Sequence, residues 1–337
     1  MPRRIRYDAW SPADGTLRRP TDGPAVWTSP WCEPGLAFTD LVASWHVAAS
    51  NGAWVEVAVQ ARGARGWHLL AQWQPGRRPT HRRSPADDPE VDTDIWRPEQ
   101  PTEAYRLRVT LHPSRNGRPP ELVRIGAVVS TGAVPTRTSA PLRRVERVLD
   151  VPRLSQMAWA EVGGRGWCSP TSVAMVLSHA GTLPPTTDTG SADVAAAARE
   201  VFDPAYDGTG NWSFNTAWAA TVAGHAFVTR LRDLRDAERF VDAGLPLVAS
   251  VAYPAGALPG APTHGTDGHL VVVRGFTAGG DVVTNDPGAP TARSVRRTYD
   301  RAAFERAWLD GSGGAVYVVR SDDQPLPPAG DGAPRWR

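Results

Sequence analysis

A thiol stands at Cys168, inside the run Gly163, Gly164, Arg165, Gly166, Trp167, Cys168, Ser169, Pro170, Thr171, Ser172. Ser169 reads as a helix N-cap and Pro170 as the first helical residue. Val173, Val176, Leu177 and Ala180 recur at helical spacing, and Gly181 suits a C-cap, so a helix is predicted over about 170–180. A thiol at that entrance feels the positive end of the helix dipole, which favours the nucleophilic thiolate. The preceding glycines allow close backbone approach and supply amides for a developing oxyanion. A cysteine so placed can also be purely structural, so a catalytic role needs partners elsewhere in the chain.

Those partners are a base, a group that orients it, and oxyanion donors. His269 is the best placed of the eight histidines, because it opens a strand directly after Gly265-Thr266-Asp267-Gly268. His264 is the rival. The strand after Thr277-Ala278-Gly279-Gly280 ends on Asn285-Asp286. A hairpin with an even-membered loop pairs Val271 with Asp286 and leaves His269 and Asp286 as diagonal neighbours on one face, about 7–8 Å apart at the backbone. An odd-membered loop without a bulge would put them on opposite faces, and Asn285 would then be the orienter. Gln156, twelve residues before Cys168, is either an oxyanion-hole donor beside the Cys168 amide or simply a polar loop residue. Ser155 reaches less far.

The elements that must carry these groups fall into two halves. From about residue 37 to 130, short segments with alternating valines and turn-rich links (53–61, 67–73, 104–111, 122–130) predict an all-β sandwich or jelly roll over 1–140. Residues 131–147, with Pro135, Thr136, Thr138, Ser139 and Pro141, look like a linker, and 141–147 divides the two domains. Beyond it, helical runs at 191–201, 213–224 and 234–243 precede strands at 245–251, 269–276, 281–287 and 315–319, which makes 148–321 an α+β domain. Residues 322–337 read as a disordered tail. Tryptophans 27, 31, 45, 54, 67, 73 and 96 suit the sandwich core, or else sugar stacking on an exposed face that would give this domain a glycan or cell-surface ligand. The basic stretch 75–83 reads as a solvated loop.

A net charge of +2, with 37 basic residues that are all arginine, gives no case for nucleic acid and fits a GC-rich bacterial genome. No stretch approaches the roughly 20 apolar residues of a membrane span. No Cys/His spacing suggests a metal, and no cofactor is called for. Cys32 and Cys168 do not make a disulfide framework. The basic start lacks a following apolar run, so a cytoplasmic location is expected; a misplaced start or another export route would make the protein secreted.

The ordered motifs Leu154-Ser155-Gln156, Gly166-Trp167-Cys168-Ser169-Pro170-Thr171-Ser172, Asp267 through Phe276, and Asn285-Asp286-Pro287 resemble the papain-like cysteine peptidases, and within them the family thirty-nine-like group related to peptidases that remove double-glycine leaders from bacteriocins. The resemblance covers roughly 148–320. It implies a papain-like fold with Cys168 as nucleophile, His269 as general base, Asp286 as orienter and Gln156 as oxyanion donor. The chain carries no transporter or membrane segment, so leader removal during export is not implied. The expected activity is cleavage of a peptide or amide bond through an acyl-enzyme on Cys168. The alternatives are acyl transfer by the same site, or a non-catalytic polysaccharide-binding protein.

Overall fold

Alternating apolar residues set the first domain. In the computed structural model, which describes residues 3–49, 52–76, 79–183 and 192–328, its strands are β1 (Arg4–Trp10), β2 (Thr16–Arg18), β3 (Ala25–Thr28), β4 (Asp40–Ala48), β5 (Trp54–Ala61), β6 (His68–Trp73), β7 (Val91–Asp92), β8 (Ile95–Trp96), β9 (Tyr105–His112) and β10 (Glu121–Thr131). They form two five-stranded antiparallel sheets, ordered β1-β10-β4-β8-β7 and β2-β3-β9-β5-β6. On β9, Tyr105, Leu107, Val109 and Leu111 point inward while Arg106, Arg108 and Thr110 are half-exposed. With the inward valines of β5 and the buried face of β4 and β10 they make the sandwich core.

Of the seven tryptophans considered for sugar stacking, Trp27, Trp45, Trp73 and Trp96 lie in that core. The others already have side chains on their rings. Arg62 and Arg106 lie over Trp31, Arg106 and Arg108 over Trp67, and His81 and His112 stack on Trp54 at 4.2 and 3.7 Å. This arrangement gives the sugar-stacking expectation no support.

The second domain comprises β11 (Arg147–Val148), α1 (Cys168–His179), α2 (Ala192–Val201), α3 (Trp212–Ala223), β12 (His225–Arg230), α4 (Leu234–Asp242), β13 (Leu247–Tyr253), β14 (Thr266–Phe276), β15 (Val282–Asn285), β16 (Arg296–Tyr299), α5 (Arg301–Ser312) and β17 (Ala315–Arg320). Its antiparallel sheet runs β12-β17-β13-β14-β15-β16, with β11 also on β14. The continuous burial of Leu247–Val251 follows from packing on both faces of the sheet.

Three local readings need correction. Helix α1 begins at Cys168, not after a Ser169 cap, because the Ser169 hydroxyl turns inward to the Tyr317 hydroxyl at 3.0 Å. Helix α5 was not expected, although Asp300 caps it and Gly313 ends it in the left-handed region. Arg82 is buried rather than solvated: its guanidinium bonds the carbonyls of Gln74, Gly76, Arg199 and Phe202 and lies over Trp73. Arg77 and Arg78 lie outside the described residues.

The halves share their cores. Ile5, Tyr7, Val42, Ile95 and Val128 pack with the second domain, the Tyr7 and Phe227 rings being 4.5 Å apart. Reciprocally, Phe214 of α3 enters the sandwich core against Trp45 and Trp73. Ser213 Oγ donates to the Ala43 carbonyl at 2.7 Å, and the Val228 amide donates to Ser44 Oγ at 2.8 Å. The stretch read as a linker is tied down at Ser139, whose amide and hydroxyl donate to Glu305, and at Leu142, whose amide donates to Glu238. From the expected tail, Leu326 packs on the second-domain core and Asp322 meets His225 at 2.6 Å; residues 329–337 lie outside the described ones.

Candidate active site

Helix α1 presents Cys168 at its first turn, and Trp167, the N-cap, offers no side-chain acceptor to the helix amides. Ser169 and Ser172, one turn apart, turn into the protein. Ser169 meets Tyr317 of β17, and Ser172 Oγ donates to the Leu270 carbonyl of β14 at 3.2 Å. The second contact fastens the cysteine helix one residue from His269.

His269 is buried, and its Nε2 lies 2.7 Å from Asp286 Oδ1. That contact leaves Nδ1 for the thiol: Cys168 and His269 line the same cleft, and each shifts the ionisation of the other. Asp286 is fully buried and accepts two further hydrogen bonds, from the Gly288 amide at 3.0 Å and the Tyr299 hydroxyl at 2.8 Å. The closeness of Gly288 to Asp286 and His269 accounts for the glycine. A Cβ at Gly288 would stand 3.2 Å from Asp286 Oδ1 and 3.3 Å from the His269 ring.

The shared face arises by an unexpected route. Val272 pairs with Asn285 and Val273 with Thr284, the register that puts Asp286 across from Val271. Nearer the turn, Gly275 pairs with Val283 and Phe276 with Val282, because the loop Ala278–Gly280 has three residues. A β-bulge at Arg274 absorbs the difference, and the buried Arg274 guanidinium anchors it to the Leu149 carbonyl.

Burial is the largest influence on the Cys168 thiol and acts to raise its pKa. The His269 imidazole and the amides of Leu270 and Ser169 outweigh it, so the thiol ionises below the ordinary cysteine range. For His269, burial again opposes the charge, but Asp286 and then Cys168 raise the pKa to about 10. Asp286 is held below the usual carboxylate range: burial would raise it, and His269, Tyr299 and Gly288 together prevail. Together these shifts favour the ionised form of each member of the Cys168–His269–Asp286 row, in which Cys168 is half-buried and the other two are buried.

Gln156 is buried beside this row. Its amide donates to the Pro287 carbonyl at 2.9 Å, and Ser155 Oγ donates to the Ala289 carbonyl, so the loop carrying Gln156 is hooked to the turn carrying Asp286. Gln156 Nε2 gives one N–H to the Arg165 carbonyl at 2.5 Å, which leaves its second N–H for another acceptor. Gly164 permits this fold-back, since a Cβ there would fall 2.6 Å from the Gln156 carbonyl oxygen.

Cys168, His269 and Gln156 open together into a cleft of about 960 Å³. Asp286 lies behind His269. His264 is exposed and does not line the cleft, and Cys32 is a free buried thiol of the first domain. Sequence reasoning missed Tyr299, Gly288 and the Ser172 staple. The turn-like Asp286-Pro287-Gly288 carried a signal for Gly288; Tyr299, on a separate strand, carried none. It also missed that the first domain supplies a wall of the cleft, through Asp92–Ile95. Among the described residues no cluster of three or more His, Cys, Asp or Glu could hold a metal, and no helix is long and apolar enough to cross a membrane.

A family model described as the Peptidase_C39 like family matches residues 148–316, and one described as the Peptidase C39 N-terminal domain matches residues 9–130. No curated protein matches the chain.

Proposed function

The chain belongs to the Peptidase C39-like family, and from that premise we propose that it is a thiol hydrolase that cleaves a peptide or amide bond with Cys168, His269, Asp286 and Gln156. The observation that carries the reading is the row itself: His269, 2.7 Å from the buried Asp286 through Nε2, opens with Cys168 and Gln156 into one cleft. The helices and antiparallel sheet that carry the row support a papain-like arrangement.

The steps follow from the geometry. The Cys168 thiolate attacks the substrate carbonyl carbon, forming a C–S bond and moving an electron pair onto oxygen. The Cys168 amide, uncapped by Trp167, and the second N–H of Gln156 receive that oxyanion. Collapse breaks the C–N bond as His269 gives its proton to the departing amine. Neutral His269 then takes a proton from water, whose oxygen attacks the thioester. The acid leaves, and the thiolate–imidazolium pair is restored. Asp286 holds the ring and stabilises its cationic form throughout.

The test compares alkylation of the two cysteines by iodoacetamide near pH 7, followed by mass spectrometry. Cys168 should react far faster than Cys32, and Cys168→Ala should lose both labelling and hydrolysis. Equal reactivity of the two thiols would end the nucleophile assignment.

A further inference from the structure

The cleft over Cys168 is walled partly by the β7–β8 hairpin tip of the first domain and partly by the loop 206–210 of the second. Each holds one residue in the left-handed region, Thr93 at φ 57° and Asp207 at φ 51°, the two non-glycine residues of that kind among the described residues. Such backbone persists only where its surroundings enforce it, and it gathers at functional sites. Here the enforcement is visible. Asp94 accepts the amides of Trp212 and Ser213 at 2.5 and 3.2 Å, pinning the hairpin to the start of α3. Asp203 accepts from the Ala205 amide and Asn211 Nδ2, and its backbone bridges Gly208, which pins the loop.

The charges in the cleft are unbalanced. Its cationic groups are Arg165 and His269, and its carboxylates are Asp92, Asp94, Asp207 and Asp267. His269 is answered by Asp286, Asp92 by Arg97 at 2.7 Å, and Asp94 is engaged at α3. Asp207 and Asp267 are exposed and have no ion-pair or side-chain hydrogen-bond partner among the described residues. Asp267 lies two residues before His269 on β14, where the pairing with β13 shifts register, and lines the same cleft. Tyr206, beside Asp207, lies over Gly208 and Gly210 and is 50% exposed. An aromatic face next to carboxylates is a cation site. A separate observation points to a donor-bearing ligand: Gln156 Oε1, in a residue 5% exposed that lines the same cleft, has no partner.

We infer that the cleft selects substrates bearing a cationic ammonium or guanidinium group, received by Tyr206, Asp207 and Asp267. This selectivity rests on the hydrolase reading of Cys168. The group is a Lys or Arg side chain or a free α-amine of the substrate chain.

The full-length protein tests it with three methanethiosulfonates: trimethylammonioethyl, sulfonatoethyl and methyl. In each, the Cys168 thiolate attacks the thiosulfonate sulfur, forming a disulfide and releasing methanesulfinate. With rates normalised to those of 2-mercaptoethanol, the cationic reagent should modify Cys168 at least about tenfold faster than the anionic one at low salt, and the ratio should shrink in about 1 M salt. Asp207→Asn combined with Asp267→Asn should lower the ratio about tenfold with the methyl reagent unaffected, since Asn keeps the left-handed backbone at 207. A ratio unchanged in that double variant, or a wild-type ratio of one, overturns the selectivity and leaves the hydrolase reading standing. Methyl reagent that modifies Cys168 no faster than Cys32 overturns both. Peptidyl acyloxymethyl ketones carrying Lys or norleucine, each with a free or acetylated N-terminus, separate the sources. Preference for Lys assigns the side chain and preference for the free terminus assigns the α-amine. Equal labelling by all four refutes the inference.

Discussion

Replacing Asp286 by Asn isolates the charge behind His269. Asn keeps an oxygen for His269 Nε2 and for the Gly288 amide, so the ring orientation should survive. What is lost is the attraction between a buried carboxylate and an imidazolium 2.7 Å away. Unit charges about 4 Å apart at an effective dielectric near 20 attract by about 4 kcal/mol. A neutral Asn is cheaper to bury, which offsets part of that, so a net loss of about 1.5–3 kcal/mol is expected for the thiolate–imidazolium pair. At about 1.4 kcal/mol per factor of ten, Cys168 alkylation near pH 7 should fall about 10- to 100-fold. The sign follows from the directions of the shifts. In the wild type the thiolate appears below the ordinary cysteine range, and its imidazolium partner persists until about pH 10. In the variant the onset of alkylation moves to higher pH and the imidazolium is lost at lower pH, so the window narrows from both sides. The assay is the iodoacetamide rate at Cys168 from pH 5 to 10, read by mass spectrometry, with circular dichroism to confirm folding. A folded variant whose pH–rate profile overlays the wild type would refute the electrostatic role of Asp286.

Further outcomes follow from other contacts. Gly288→Ala should lower kcat/KM by tenfold or more in a folded protein, because the new methyl must push on Asp286 and His269; wild-type kinetics would show that the turn yields freely. Tyr299→Phe removes a donor to a buried charge and should cost about 1.5–3 kcal/mol in urea unfolding. Asp94→Ala leaves the Trp212 and Ser213 amides without their acceptor and should cost about 1–3 kcal/mol by the same measurement. Because the two cores interleave, calorimetry of the whole chain should give one cooperative transition, with calorimetric and van't Hoff enthalpies equal. Two resolved transitions would contradict the shared core built by Phe214, Trp45 and Trp73.

Local periodicity made much of this molecule readable in advance. The valines of β5 and the apolar spacing of α1 have their causes within a few residues of themselves, so pattern alone could find them. Helix α5 had both signals, an Asp before it and Gly313 after it, and went unread. Other features depend on long-range partners. Ser169 is a good cap by type, yet Tyr317, far along the chain, claims its hydroxyl. Arg82 sits in a basic run that looks solvated, and only the carbonyls at Arg199 and Phe202 make it an interior residue. The pairing expected for His269 and Asp286 is the one found, but for a different reason, since the odd loop is compensated by a bulge that no periodicity foretold. Tyr299 and the hairpin wall come from strands whose proximity to the cleft is a property of the tertiary fold alone.

The bulge at Arg274 has a consequence for how this hairpin can change over evolutionary time. It separates the turn, which solvent reaches, from the register that holds His269 opposite the Asp286 turn. Gain or loss of a single residue between Ala278 and Gly280 can be taken up only if the bulge disappears or a second one forms. Otherwise every side chain beyond it swaps sides and the carboxylate faces away. Descendants of this chain should therefore change the length of that loop only together with the residues around Arg274, and should keep glycine at 280, where φ is 94° and a Cβ would fall 2.3 Å from Pro141.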